Sequence, residues 1–116
     1  MPVPVIVPST AVFTWVDATK NTDGSNIVAG EVTGFVIGIR STTVAGSVAG
    51  TYPINSPSIA ASAVSEAVSL ITPSLQPDNY AAAIKSTGPV PSAWSTEVAF
   101  AIAQPVPAPP TGFSVA

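Results

Sequence analysis

Apolar and polar residues alternate with a period of two in several short stretches of this chain, and no three-to-four spacing persists long enough to secure a helix. In AVFTWVDA, Ala11, Phe13 and Trp15 share one face, and Val12, Thr14 and Val16 share the other. This predicts a strand with a bulky inner face. It stops after Ala18, because every residue from Thr19 to Ser25 is polar or glycine and none can anchor a buried face. The next run begins at Val32, where Phe35, Ile37 and Ile39 alternate with Gly34, Val36, Gly38 and Arg40. Aromatic and β-branched residues at every second position fit a pleated surface with one buried face, so this is the clearest strand. A weaker strand is expected over Val44 to Tyr52, diluted by Gly46 and Gly50 and closed by Pro53.

The segment SIAASAVSEAVSLI, residues 58 to 71, satisfies both periods, since Ile59, Ala63, Val64, Ala67, Val68 and Ile71 also fall at helical spacing. We expect a strand over roughly 65 to 72 and an insertion over 55 to 64 that contains a helical turn. Pro77-Asp78-Asn79 then makes a turn, after which Tyr80, Ala82 and Ile84 point one way along a further strand. Its small alanines imply the close approach of a neighbour. Trp94, Thr96, Val98, Phe100 and Ile102 alternate along a last strand ending at Ala103. At the front of the chain, Pro2, Pro4 and Pro8 suit an extended edge strand, since proline cannot donate to a ladder. The end, QPVPAPPTGFSVA, carries Pro105, Pro107, Pro109 and Pro110 and reads as an extended rod.

Short strands separated by turn signals predict an all-β fold, a two-sheet antiparallel β-sandwich of about seven strands. On the residues just described, FTWVDATKNTDGSNIVAGEVTGFVIGIR resembles the B strand, B-C loop and C strand of fibronectin type III domains of the prokaryotic kind. Trp15 and Phe35 stand at the positions of the B-strand tryptophan and the aromatic that opens strand C. SLQPDNYAAAI resembles the E-F corner, with Leu75 and Pro77 before a corner tyrosine at Tyr80. Two departures stand out: the turn between the proline and the tyrosine is one residue short, and the region between strand C and Leu75 is long. The resemblance spans residues 5 to 103. It implies a fibronectin type III or immunoglobulin-like domain over residues 1–104, followed by a proline-rich tail over 105–116. It further implies that Trp15 fills a core against Phe35, Ile37 and Tyr80, with Leu75 beside them, so that Trp15→Ala would cost about 3–5 kcal/mol.

Composition narrows the function classes. Only 8% of residues are charged, three basic and six acidic, against roughly 25% in an ordinary soluble domain. A net charge of -3, with only Lys20, Arg40 and Lys85 as cations, argues against nucleic acid. The absence of cysteine and histidine excludes disulfides, thiolate zinc sites and the commonest general base. No apolar run approaches the roughly 18 residues of a membrane span. MPVPVIVPST lacks the basic start and unbroken apolar stretch of an export signal, although a mature fragment with an added Met1 would look the same. Asp17 and Asp23, with Asn21 and Asn26, could offer oxygens to calcium, but no glutamate closes the loop at the twelfth position from Thr19, and turn-forming roles account for them better. Glu31, Glu66 and Glu97 fall on separate segments, which leaves no carboxylate pair for hydrolysis. The expectation is therefore a protein that is not an enzyme and needs neither cofactor nor metal.

Two features point to partners. Trp94 precedes the last strand, where it either stacks on sugar or packs over the sandwich edge. Phe113 and Val115 lie in the tail, where PAPPTGFSVA either resembles the opening of another domain of the same family or is an arm whose Phe113 and Val115 dock on another surface as an added strand. The chain layout resembles the immunoglobulin-like and fibronectin-like accessory proteins of tailed bacteriophage virions. That resemblance implies a structural decoration subunit, made in the host cytoplasm and carried on the virion, whose partners are copies of itself and a capsid or tail protein. The alternative is an extracellular spacer or weak carbohydrate-binding module cut from a secreted bacterial enzyme or adhesin.

Overall fold

The computed structural model describes residues 3–8, 10–71, 75–103 and 107–115. Its spine is the antiparallel pair of β2 (Gly34–Ser41) and β6 (Asp78–Thr87), in register from Gly34 opposite Thr87 to Ser41 opposite Tyr80. Ile37 faces Ile84 and Ile39 faces Ala82, so the apolar positions of both runs share one face. Ile39 is fully buried there, and Phe35, Ile37, Tyr80 and Ala82 are buried beside it. β3 (Ile54–Asn55) and β4 (Ile59–Ala60) line the free edge of β2, and β7 (Val98–Ile102) lines that of β6. Together they make a five-stranded antiparallel sheet. A separate antiparallel pair joins β1 (Val12–Thr14) to β5 (Ser65–Ala67). The protein is thus mostly β, with antiparallel sheets.

Aromatic rings tie the short pair to the large sheet. Phe13 of β1 meets Phe100 of β7 edge-on at 5.7 Å between centroids, and Phe100 stacks on Tyr80 at 5.4 Å. Trp15 leans on Phe35 at 5.5 Å. Trp15 is only partly buried, however, and Phe100 is almost fully buried, so the phenylalanine rather than the indole takes the deepest aromatic position. The cost of Trp15→Ala accordingly falls below about 3 kcal/mol. Leu75 is also partly buried against this core, and the Tyr80 hydroxyl donates to the Gln76 carbonyl at 2.6 Å, tying the turn before β6 to its own strand.

Serine side chains stand in for strand partners on both edges of the β2–β6 pair. At Ile37, the Ser56 N–H donates to the Ile37 carbonyl at 2.8 Å while the Ile37 N–H donates to Ser56 Oγ at 2.9 Å. Across the sheet, Ser95 does the same at Ile84, with distances of 2.8 and 3.0 Å, and Ser92 at Ser86, with 3.1 and 2.9 Å. In each case a short hydroxyl replaces a ladder carbonyl where the partner chain carries an extra residue, which is the geometry of a bulge. Ser56 is buried and Ser95 is exposed. Ser56→Ala should therefore cost about 1–3 kcal/mol, because the Ile37 N–H is stranded away from water, whereas Ser95→Ala should cost under about 1 kcal/mol. Urea unfolding of the two variants checks this; equal losses would rule out the stranded donor as the cause.

Several sequence expectations are corrected. Residues 44 to 52 form turns rather than a strand, with Gly46 and Gly50 at φ of 81° and 96°, and a two-residue strand follows Pro53 instead. The helical turn, α1, falls at Val68–Ile71 rather than within 55 to 64. The double periodicity of residues 58 to 71 is resolved by division: β5 ends at Ala67, and Val68 and Ile71, three apart on one turn, are both buried. The expected last strand covers only Val98–Ile102, because the extra residues at Ser92 and Ser95 break its alternation. Trp94 consequently lies away from Phe100 and Ile102, against Tyr52. At the front of the chain, the Ile6 N–H donates to the Ala101 carbonyl and the Ala101 N–H to the Pro4 carbonyl, both at 2.9 Å, so this segment runs parallel along β7. Residues 1 and 2, Thr72 at the end of the expected strand, and tail residues 104–106 and 116 lie outside the described residues.

Candidate functional site

The side of the β2–β6 pair away from Ile37 and Ile39 carries Gly38 and Arg40 on β2 with Ala81, Ala83 and Lys85 on β6. A glycine and two alanines leave room for a flat layer above them, and Tyr52 fills it, so that Ala81 and Ala83 are buried. The Tyr52 ring meets Trp94 edge-on at 4.6 Å, and the Lys85 ammonium sits 4.7 Å over the indole. Arg40 grips Glu97 with two hydrogen bonds of 2.8 Å, from Nε and Nη2, and its Nη1 donates to Ser47 Oγ at 3.0 Å. The Tyr52 hydroxyl donates to the same Glu97 carboxylate at 2.8 Å. Among the described residues this is the one ion pair. The Arg40 and Glu97 charges satisfy each other, and the cluster holds the sheet's outer layer in place.

The remaining charges are also largely engaged. Asp78 accepts from Ser41 Oγ at 2.7 Å and from Thr43 Oγ1 at 2.8 Å. Asp23 accepts from the Ser25 N–H and hydroxyl at 2.9 and 2.6 Å, closing a turn in which Gly24 has a φ of 89°. Lys20 bonds to Asn26, and Glu31 accepts from the Val28 N–H at 2.7 Å and from Asn21 at 3.2 Å. The loop acids and amides thus serve turn geometry, and among the described residues no three acidic side chains gather where a cation could be held. Glu31, Glu66 and Glu97 lie in a loop, in β5 and ahead of β7, respectively.

These contacts set the pH response. The Arg40 guanidinium, assisted by Tyr52, holds the Glu97 carboxyl below the usual carboxylate range against the effect of partial burial. Hydrogen bonds from Ser41, then Thr43, do the same for Asp78. Burial pushes both Tyr52 and Tyr80 up, with smaller contributions from the hydrogen bond to Glu97 and the charge of Asp78, respectively. A lowered carboxyl stabilises the fold above its unfolded pKa, and that contribution is lost as pH falls through the folded value; a raised phenol stabilises it below about 10, and that contribution is lost as pH rises further. With no histidine or cysteine in the chain, melting temperature should stay level between about pH 5 and 9 and fall on both sides. Glu97→Gln should make the acid limb shallower. A side-chain transition between pH 6 and 8 in melts followed by circular dichroism would contradict this.

On the inner side, the departure of residues 92–97 from regular pairing has a cost in coverage. Where a regular strand would place large side chains over Ala82 and Ile84, the chain supplies Ser95 and Thr96, and Trp94 has turned to the outer layer. The result is an open apolar cleft of about 260 Å³ between β1 and β6, walled by Phe13, Trp15, Val16, Ile84 and Val98. The Trp15 Nε1–H is shielded from solvent and meets no acceptor among the described residues.

The fold therefore brings together Phe35, Ile37, Tyr80 and, at their margin, Trp15 and Leu75, while it places Trp94 in the separate outer layer. Phe113 and Val115 lie in the extended tail and are almost wholly exposed. The cleft and the Arg40–Glu97 clasp escaped sequence reasoning, since both depend on residues more than forty positions apart meeting across the sheet. No protein-family model, no curated protein and no solved structure matches the chain.

Proposed function

We propose that this chain is a structural, non-enzymatic subunit, a fibronectin type III or immunoglobulin-like β-sandwich displayed on a larger assembly, with a tailed bacteriophage virion as its setting. The fold assignment is supported by the Tyr80 hydroxyl bonded to the Gln76 carbonyl, the kind of tyrosine corner that such sandwiches use. It is further supported by β1 and β2 belonging to different sheets while Trp15 touches Phe35 between them. The observation that carries the assembly reading is the surface. Most of its few charges are engaged in internal clasps and turns, while Val5, Val12, Val16, Val28, Val90 and Val98 stand exposed, Val16 at 95%. We read a surface this poor in charge, with so many exposed β-branched residues, as one that neighbours cover. In this reading the chain is made in the host cytoplasm and carried on the particle exterior, held by copies of itself and by a capsid or tail protein.

The test mixes purified full-length chain with phage particles encoded by the same genome and pellets them. Saturable co-sedimentation, together with the chain's presence among the proteins of purified particles, is the expected result. A chain that stays in the supernatant and is missing from particles overturns the proposal. The alternative, an extracellular spacer or weak carbohydrate-binding module, draws on Trp94, yet the Lys85 ammonium sits over that indole and Tyr52 packs against it. Binding to an oligosaccharide panel that is lost in Trp94→Ala would favour the alternative.

A further inference from the structure

We propose that the apolar cleft between β1 and β6 receives the tail of a second copy of this chain, with Phe113 as the inserted side chain. This deepens the assembly reading by naming one partner surface, and it rests on that reading. Two observations converge. The cleft, at about 260 Å³, exceeds the roughly 150 Å³ of an apolar cavity that takes up benzene, so a phenyl ring fits within it. Phe113 and Val115 are 98% and 96% exposed and lie two apart, the spacing that presents both on one side of an extended strand. An aromatic ring left wholly in water on an otherwise charge-poor arm has a strong drive to be covered.

The donor is a second copy because of chain direction and stiffness. The cleft lies at the Val98 end of β7, and the tail leaves from the opposite end, beyond Ile102. To enter its own cleft the chain would have to double back through Pro105, Pro107, Pro109 and Pro110, a composition that favours an extended, semi-rigid rod. Described residues 107–115 are all exposed, and the molecule reaches 78 Å along its longest axis against 31 and 26 Å across. An arm of one copy in the cleft of the next is a heterologous contact, which propagates into rings or open rows.

The experiment measures the mass of the full-length protein by light scattering over a range of concentrations, for the natural chain, Phe113→Ala, Val98→Lys and an equimolar mixture of the two variants. The natural chain should grow beyond a monomer as concentration rises, and each variant should weaken association at least about tenfold with little change in melting temperature. The mixture should recover association but stop at dimers, since one variant keeps the cleft and the other keeps the arm. Association unchanged in Phe113→Ala, or a natural chain that stays monomeric throughout, overturns the proposal; a monomer whose melting temperature drops in Phe113→Ala would place the tail in its own cleft instead. If the monomer still co-sediments with particles, only this contact fails, whereas failure of both experiments removes the assembly reading as well.

Discussion

Phe100→Ala is expected to lower stability by about 3–5 kcal/mol and the melting temperature by roughly 10–25 °C. The reason lies in the position of one ring. Phe100 is buried on an edge strand, directly opposite Tyr80 in the β6–β7 register, and stacks on that tyrosine while Phe13 approaches it edge-on. It therefore touches both the five-stranded sheet and the short β1–β5 pair. Truncation removes the transfer free energy of the ring and leaves a void that neither assembly can close alone, since β6 is held in register by β2 on its far side. Aromatic pairing adds about 0.5–1.5 kcal/mol per contact beyond burial. Against a total stability of about 5–15 kcal/mol for a domain, this loss approaches the whole margin. Phe13→Ala, at a partly buried position on a three-residue strand, should cost visibly less. Urea unfolding of both variants gives the comparison. A loss under about 1 kcal/mol for Phe100→Ala would mean that the short pair does not sit on the sheet at this point.

Legibility in the sequence followed local information. The runs around Phe35, Ile37 and Ile39 and around Tyr80, Ala82 and Ile84 were readable because strict alternation over many residues has one consistent solution, a strand with one buried face. The alternation of Phe13 and Trp15 fixed their shared face in the same way. What alternation cannot show is where a partner strand carries one residue too many. At Ser92 and Ser95 each extra residue shifts the parity of everything before it, so Trp94 leaves the face of Phe100 although both occupy even positions. A serine next to a strand looks the same in the sequence whether it faces water or replaces a carbonyl, which is why the clamp at Ser56 was invisible. Segment 58–71 failed differently, since two periods were satisfied at once and only burial of Val68 and Ile71 decides between them. The candidate surfaces inherit these limits. Phe113 and Val115 stood out as an apolar pair on a proline-rich arm, but the cleft that suits them exists only because the parity breaks at Ser95.

Gly38→Ala is expected to destabilise the fold by about 1–3 kcal/mol, although replacing a glycine within a strand ordinarily helps. A Cβ at this position would lie 2.6 Å from both Cβ and Cγ of Tyr52. Those atoms are the root of the side chain, so no rotation of the ring tip relieves the overlap, and Tyr52 itself must lift from the sheet. Lifting it weakens three contacts: the hydroxyl's hydrogen bond to Glu97, the bond it accepts from the Gly50 N–H, and the edge contact with Trp94. The Trp94 emission, read in a Trp15→Phe background, should shift to longer wavelength as water reaches the indole, while the circular dichroism of the sheet is kept. A double-mutant cycle isolates the cause. Once Tyr52→Gly has removed Cβ and ring together, no side-chain atom remains above position 38, and Gly38→Ala should cost much less, the balance moving toward the gain in strand propensity. If Gly38→Ala costs the same with or without the Tyr52 side chain, the closeness of that side chain is not what position 38 is selected for, and the glycine answers to the backbone of β2 alone.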